Sequence, residues 1–367
     1  MNRRLFLRTS GLALLGAALP LNAATRRNKV LVVIFQRGAV DGLNMIVPHG
    51  ERAYYAARPN IAIAKNELLD LDGFFGAHPS LQSLLPFWKD RSLAVIHAAG
   101  SPDATRSHFD AQDYMESGTP GIKTTRDGFL TRALGSKSNE PLRAVAISAT
   151  MPRILAGSNA VVTTDIGKYG RGKSQELFAS IYPEAFAAVR ALDSVRATPS
   201  ADYPRGPLAQ SLQQIARLIK SDVGLEIAFA DVGGWDTHAA QGGAEGQLAN
   251  NLRFFSDALA AFAKDLGSRM SDVVVVTTSE FGRTVRENGN RGTDHGHGTV
   301  MLALGGNVRG GKVHGQWPGL EQLFEGRDLA VTTDFRDVFA EVLAKHHGVT
   351  STATIFPRYQ PKPLALL

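Results

Sequence analysis

The chain has 367 residues, 44% of them hydrophobic and 20% charged, with a formal net charge of +6 and no cysteine. This is the composition of an ordinary soluble globular protein, long enough for one large α/β domain or two smaller ones. The missing cysteines exclude disulfides, thiolate zinc sites, cysteine nucleophiles and iron–sulfur clusters, and so mild a charge, with no basic run interleaved with aromatics, gives no indication of nucleic-acid binding.

The N-terminus reads Asn2-Arg3-Arg4-Leu5-Phe6-Leu7-Arg8, then an apolar run from Gly11 to Leu21, then Ala23-Ala24. That basic, apolar, small-residue order is the pattern of an export signal, and the paired arginines before Phe6-Leu7 point to the twin-arginine pathway. The apolar run is about half the ~20 residues a spanning helix needs. Residues 1–24 are therefore expected to be a signal peptide, with no stable membrane anchor, the twin-arginine translocase as a partner during export, and a periplasmic or secreted product. The segment holds three arginines and no acid, which lowers the net charge of the remainder to +3.

Lys29 to Phe35 is a continuous apolar run, the mark of a strand covered on both faces. Short helices are predicted over Glu51 to Pro59 and Pro79 to Lys89, with a strand at Ser92 to Ala98. A polar loop, Gly100 to Asp110, runs into a further helix. Leu142 to Ile147 and Ala160 to Thr163 read as strands. From about Lys173 to Ile219 the strand rhythm stops and the pattern turns helical, as in an insertion or cap. Leu225 to Val232 is a buried strand leading into Gly233-Gly234-Trp235-Asp236-Thr237-His238. The helix Glu245 to Leu266 carries one apolar stripe through Leu248, Leu252, Phe255, Leu259, Phe262 and Leu266. Strands follow at Asp272 to Thr278 and Thr299 to Leu304, and Asp334 to His346 closes as an amphipathic helix. Alternating strands and helices predict a three-layer α/β/α sandwich with a mostly parallel sheet. With no internal repeat or low-complexity linker, residues 25–367 are expected to form one domain, with the helical insertion near 173–219.

Four polar clusters adjoin these strands. Asp236 and His238 leave the end of one strand two residues apart, and can offer oxygen and nitrogen to a divalent ion or simply form a capped turn. Asp294-His295-Gly296-His297 offers an acid and two imidazoles within a loop of about 17 residues, longer than a structureless connection normally is. His295 is the first choice as a metal ligand there and His297 the second, although a loop that precedes a strand is an awkward place to join an edge where strands end. Glu280 can be a ligand or base and Arg283 an anion clamp, or the two can form a surface pair. Asp41 is a ligand at the end of the first strand or a turn acid beside Gly42. Ser107 at a helix start is either a nucleophile or, as Ser-x-x-Asp, a helix cap, and His108 beside it can also be a ligand. His49, His78, His314, His346 and His347 lack a companion acid at ligand spacing, and His97 ends a strand beside a loop. No G-x-S-x-G elbow, P-loop, H-E-x-x-H or G-x-G-x-x-G after the first strand occurs.

The twin-arginine leader, VVIFQRGAVDGLN, RSHFDAQD, GGWDTH, SEFGRT and TDHGHG together resemble the exported family called domain of unknown function 1501. The resemblance covers nearly the whole chain after the leader. That family is similar in fold to the alkaline phosphatase and sulfatase superfamily, whose members bind one or two divalent metals at strand C-termini. The resemblance implies metal ligands at Asp41, Asp236, His238, Glu280 and His295, and a nucleophile at Ser107. Where the superfamily commonly has Asp-His-Gly, this chain has Glu280-Phe281-Gly282, so one imidazole is replaced by a phenyl ring. No formylglycine-type signature is present, which argues against ordinary sulfatase chemistry.

Two functions are left open. One is an exported, metal-dependent hydrolase of phosphate or related esters, acting on a small anionic ester with zinc, calcium or magnesium/manganese. The other is a non-catalytic binding or assembly protein on the same alkaline phosphatase-like scaffold.

Overall fold

A computed structural model describes residues 28–135, 140–169 and 183–367. The expected signal peptide, 1–24, and the start of the helical stretch, 173–182, lie outside these residues. Among the described residues no helix is long and apolar enough to cross a membrane.

The strands in chain order are β1 (Val30–Gln36), β2 (Ile46–Val47), β3 (Leu69–Asp70), β4 (Gly76–Ala77), β5 (Leu93–Gly100), β6 (Ala144–Ile147), β7 (Val161–Thr163), β8 (Ile227–Val232), β9 (Val273–Thr278), β10 (Thr299–Gly305), β11 (Val313–His314) and β12 (Thr333–Asp334). The main sheet has the order β11-β5-β10-β9-β1-β8-β6-β7, with β12 also paired to β5. Strand β1 lies at its centre, parallel to β8 and β9. Among the described strands of this sheet only β10 runs the other way, antiparallel to both β5 and β9. The fold is the α/β/α arrangement with a mostly parallel sheet that the alternation of elements predicts. The small sheet β2-β4-β3 was not legible as strands, because two-residue strands carry no periodicity.

Why β1 reads as an unbroken apolar run is now plain. Val30, Val32 and Ile34 face one core, beneath the helices Pro207–Lys220 and Gln247–Leu266. Leu31, Val33 and Phe35 face the other, beneath Phe129–Leu134 and Phe335–Lys345. Side chains alternate across a strand, so both registers must be apolar when both faces are covered.

The lone antiparallel strand determines where the site forms. Parallel β1, β8 and β9 all end at the same edge of the sheet. Because β10 runs against them, its start lies at that edge too. The long loop from Ser279 to Gly298 therefore leaves and returns on one side, which removes the difficulty of a histidine cluster placed ahead of a strand.

Phe262 of the helix Gln247–Leu266 is fully buried in the first core. Phe262→Ala is expected to cost about 3–5 kcal/mol through lost burial and a residual cavity, measured by urea denaturation followed by circular dichroism.

Candidate metal centre

Three loops meet at the shared edge. Arg37 to Asp41 leaves β1, Gly233 to His238 leaves β8, and Ser279 to Gly298 leaves β9. They pack closely enough that a Cβ on Gly38, whose φ is +113°, would lie 2.8 Å from the Asp236 backbone nitrogen. A Cβ on Gly296 would lie 2.3 Å from the Arg283 carbonyl carbon. Glycine is what lets these backbones touch.

Four donor atoms converge there. His295 Nε2 lies 3.0 Å from His108 Nε2, 2.9 Å from His238 Nε2 and 3.2 Å from Asp236 Oδ1. Asp236 Oδ1 is also 3.0 Å from His238 Nε2 and 3.6 Å from His108 Nε2. The ligand atoms of His108, Asp236 and His295 all lie within 4.8 Å of one another. Two donors each about 2.0–2.1 Å from one zinc ion at a tetrahedral angle sit about 3.3 Å apart, so the spacings among His108, Asp236 and His295 suit one cation, with His238 Nε2 beside two of these three donors.

The protons give a stronger test of that fit. His108 Nδ1 faces Glu280 Oε1 at 2.8 Å, His238 Nδ1 faces Asp294 Oδ1 at 3.2 Å, and His295 Nδ1 faces the Arg106 carbonyl at 2.9 Å. Ionised carboxylates and carbonyls only accept, so these partners favour the neutral tautomer with hydrogen on Nδ1, while Asp236 Oδ1 competes for a hydrogen on Nε2 of His238 and His295 unless an ion lies between them. All three Nε2 lone pairs then point at one another and at a carboxylate oxygen. A divalent cation satisfies such a set, and histidine backed by a carboxylate or carbonyl is the usual support of a metal ligand.

The surrounding charges keep the donors ready. Burial pushes the Asp236 carboxyl up, but the Arg283 guanidinium, 2.6 Å away, holds it below the ordinary range. Burial also acts on Glu280, and hydrogen bonds from His108, Gln112 and the Gly38 amide outweigh it. The bond from Asn288 is the main cause that lowers Asp294. The Glu280 carboxylate raises His108, whereas burial lowers His295.

The structure distributes the expected site residues as follows. It brings Asp236, His238 and His295 together, and adds His108. Glu280 is fully buried behind His108 rather than among the four donors. Asp41 lies elsewhere: Oδ1 caps the short helix Gly42–Met45, and Oδ2 accepts from Arg58 at 2.7 Å and Gln241 at 2.6 Å. The ring of His297 turns away and stacks on Phe324, centroids 4.3 Å apart. Ser107 is exposed at the start of the helix His108–Ser117 and its oxygen accepts from the Asp110 amide. Arg283 is 1% exposed and donates to the carbonyls of Gly38, Ala39, Trp235 and Thr293 as well as to Asp236. Phe281 stacks on His108 with centroids 5.0 Å apart.

The sequence admits His108 as a ligand but does not settle it, since it carries no sign of which elements His108 faces in the fold. Asp294 belonged to a recognised cluster, yet nothing in the sequence distinguishes an acid that touches an ion from one that steadies a histidine.

Comparison with known proteins adds the following. A family model described as "Protein of unknown function (DUF1501)" matches residues 163–358. None of the curated proteins matches the chain. Among solved structures the chain is similar to the C-terminal periplasmic domain of EcEptC from Escherichia coli, at 10% identity and a TM-score of 0.44, over 93% of this chain and 89% of that one. It is similar to the zinc complex of that domain at 10% identity and a TM-score of 0.41, over 78% and 75%. The phosphonate monoester hydrolase of Agrobacterium radiobacter is similar at 12% identity and a TM-score of 0.38, over 92% and 78%.

Asp41 and Arg58 are both excluded from solvent. Asp41→Ala leaves a buried guanidinium without its carboxylate, and is expected to destabilise the chain by about 3–5 kcal/mol in urea denaturation.

Proposed function

We propose, starting from a chain that belongs to the family of proteins of unknown function DUF1501, that it is an exported enzyme that hydrolyses phosphate or related esters at a divalent-metal centre. His108, Asp236, His238 and His295 would hold the ion. The observation that carries this reading is the convergence of three Nε2 lone pairs and one carboxylate oxygen, each imidazole already bonded through Nδ1. A donor set of imidazoles with a single carboxylate suits zinc or a neighbouring first-row ion better than calcium or magnesium, which take mainly oxygen.

A bound divalent ion would supply charge neutralisation at the ester and a lowered pKa for a water or hydroxyl beside it. The chain's own residues provide the rest. The N-terminus of the helix His108–Ser117 favours an anion. Ser107, exposed there and next to His108 in the chain, is the hydroxyl that would accept the transferred group before water releases it. Arg283 keeps Asp236 ionised and in position, in place of the anion clamp its sequence position suggested. Glu280 and Asp294 hold the proton on Nδ1 of His108 and His238. The open side of the site, where Asp236 is 47% exposed, leaves room for a substrate or water.

The non-catalytic reading draws support from Ser107, whose oxygen is engaged as a helix cap. The two readings separate experimentally. The chain purified after export, without chelator or affinity tag, is expected to contain about one equivalent of metal, and to lose it in His238→Ala and His295→Ala. No metal after reconstitution with zinc or manganese would overturn the centre altogether. Metal bound without turnover of phosphate, phosphonate or sulfate monoesters would favour the binding role.

The imidazoles must shed protons to bind an ion, and His108, raised by Glu280, takes one up first, so affinity should begin to fall above the ordinary histidine value of about 6.5 and fall further below it as His295 is protonated. Zinc titrations between pH 5 and 8 check this, and a pH-independent affinity would exclude imidazole ligation. Export is tested by Arg3→Lys with Arg4→Lys, which should strand the chain in the cytoplasm. Unchanged export of that variant would count against the twin-arginine route.

A further inference from the structure

Asp328 lies outside every motif considered so far and contributes no atom to the donor cluster. It is nevertheless fully buried, and a buried carboxylate persists only where partners compensate it. Oδ2 accepts from Arg106 Nε at 3.0 Å and Nη2 at 2.5 Å. Oδ1 accepts from Arg327 Nε at 3.1 Å.

Those two arginines grip the same histidine from different sides. The backbone carbonyl of Arg106 accepts from His295 Nδ1 at 2.9 Å. Arg327 Nη2 donates to the backbone carbonyl of His295 at 2.6 Å. His295 is the residue whose Nε2 touches His108, His238 and Asp236.

We propose that Asp328 is a positioning residue for the metal centre, acting through Arg106 and Arg327 to fix the ring orientation and tautomer of His295. The proposal rests on the metal-binding reading above and extends it to a carboxylate that touches neither ion nor substrate. Without Asp328, Arg106 keeps only Glu325 as a side-chain partner and Arg327 loses the carboxylate that aims it at the His295 carbonyl, so the backbone on both sides of the His295 ring is less restrained. The ring then loses the acceptor that keeps its proton on Nδ1, and one lone pair leaves the cluster.

The test is zinc affinity, measured by competition with a chromogenic chelator on the metal-stripped protein. Asp328→Asn keeps the shape and removes the charge, and is expected to weaken binding about 10–100-fold, the usual cost of losing an outer partner of a metal ligand. A His295→Ala background, which does not keep its metal through purification, is titrated at zinc concentrations high enough to read its residual affinity, and the same substitution should cause no further loss there, because the path runs through that ring. A merely structural role would weaken both backgrounds equally, and that result overturns the proposal. So does unchanged affinity in Asp328→Asn while the wild-type chain binds zinc. A wild-type chain that binds no ion would instead remove the metal centre itself. If Asp328→Asn does not fold, Arg327→Gln, at a half-exposed side chain, takes its place: weaker zinc binding supports the proposal and unchanged binding overturns it.

Discussion

One guanidinium holds the functional edge of this protein together. Arg283 donates to carbonyls of the loop after β1, the loop after β8 and the segment before β10, and makes an ion pair with Asp236. None of those loops has a regular element of its own at this point, so their buried carbonyls need a donor from elsewhere. A planar fork with five N–H groups serves several of them at once. Its charge, buried and balanced by Asp236, also keeps that carboxylate ionised. The scaffold and the chemistry thus share one residue, and a lysine there could not reproduce the geometry.

Behind the donors lies a layer of acceptors that determines their state. Glu280 and Asp294 are carboxylates that contact histidine nitrogen rather than the cluster, and the Arg106 carbonyl has the same role for His295. Gln241 ties this layer to the buried Asp41–Arg58 pair, since its amide nitrogen donates to Asp41 while its oxygen accepts from Thr237 and Thr293. Those threonines flank Asp236, His238 and Asp294 in the chain. Hydrogen bonds through Gln241 and the threonine hydroxyls therefore connect Asp41 to the loops that carry the donors.

The strands were legible because burial on both faces leaves an unmistakable trace. β1, β8 and β9 appear as apolar runs to within a residue or two of their ends. The clusters at their tips were legible too, since acids and histidines beside glycines stand out. What each residue does there was harder to read. Asp41 and Asp236 both follow a strand and a glycine-bearing turn, and no local pattern reveals that Arg58 lies against one and Arg283 against the other. His295 and His297 are two residues apart, yet Gly296 lets the backbone turn and Phe324 captures the second ring. His108 is a possible ligand on sequence, but the partners that fix its role, Glu280 and His295, lie far along the chain.

The orientation of one strand resolves much of this. Had β10 been parallel, the segment from Ser279 to Gly298 would have had to cross the sheet, and Asp294 and His295 would have emerged at the opposite end from Asp236. Antiparallel pairing with β5 and β9 brings the start of β10 back to where β9 stops. The loop can then fold on itself, with the Gly282 amide bonded to the His297 carbonyl and the Gly296 amide to the Gly282 carbonyl. That hairpin-like closure places Arg283 and His295 opposite each other as a backbone bridge. The residue that stitches the loops and the residue at the centre of the donor set are consequently fixed by one and the same reversal of chain direction.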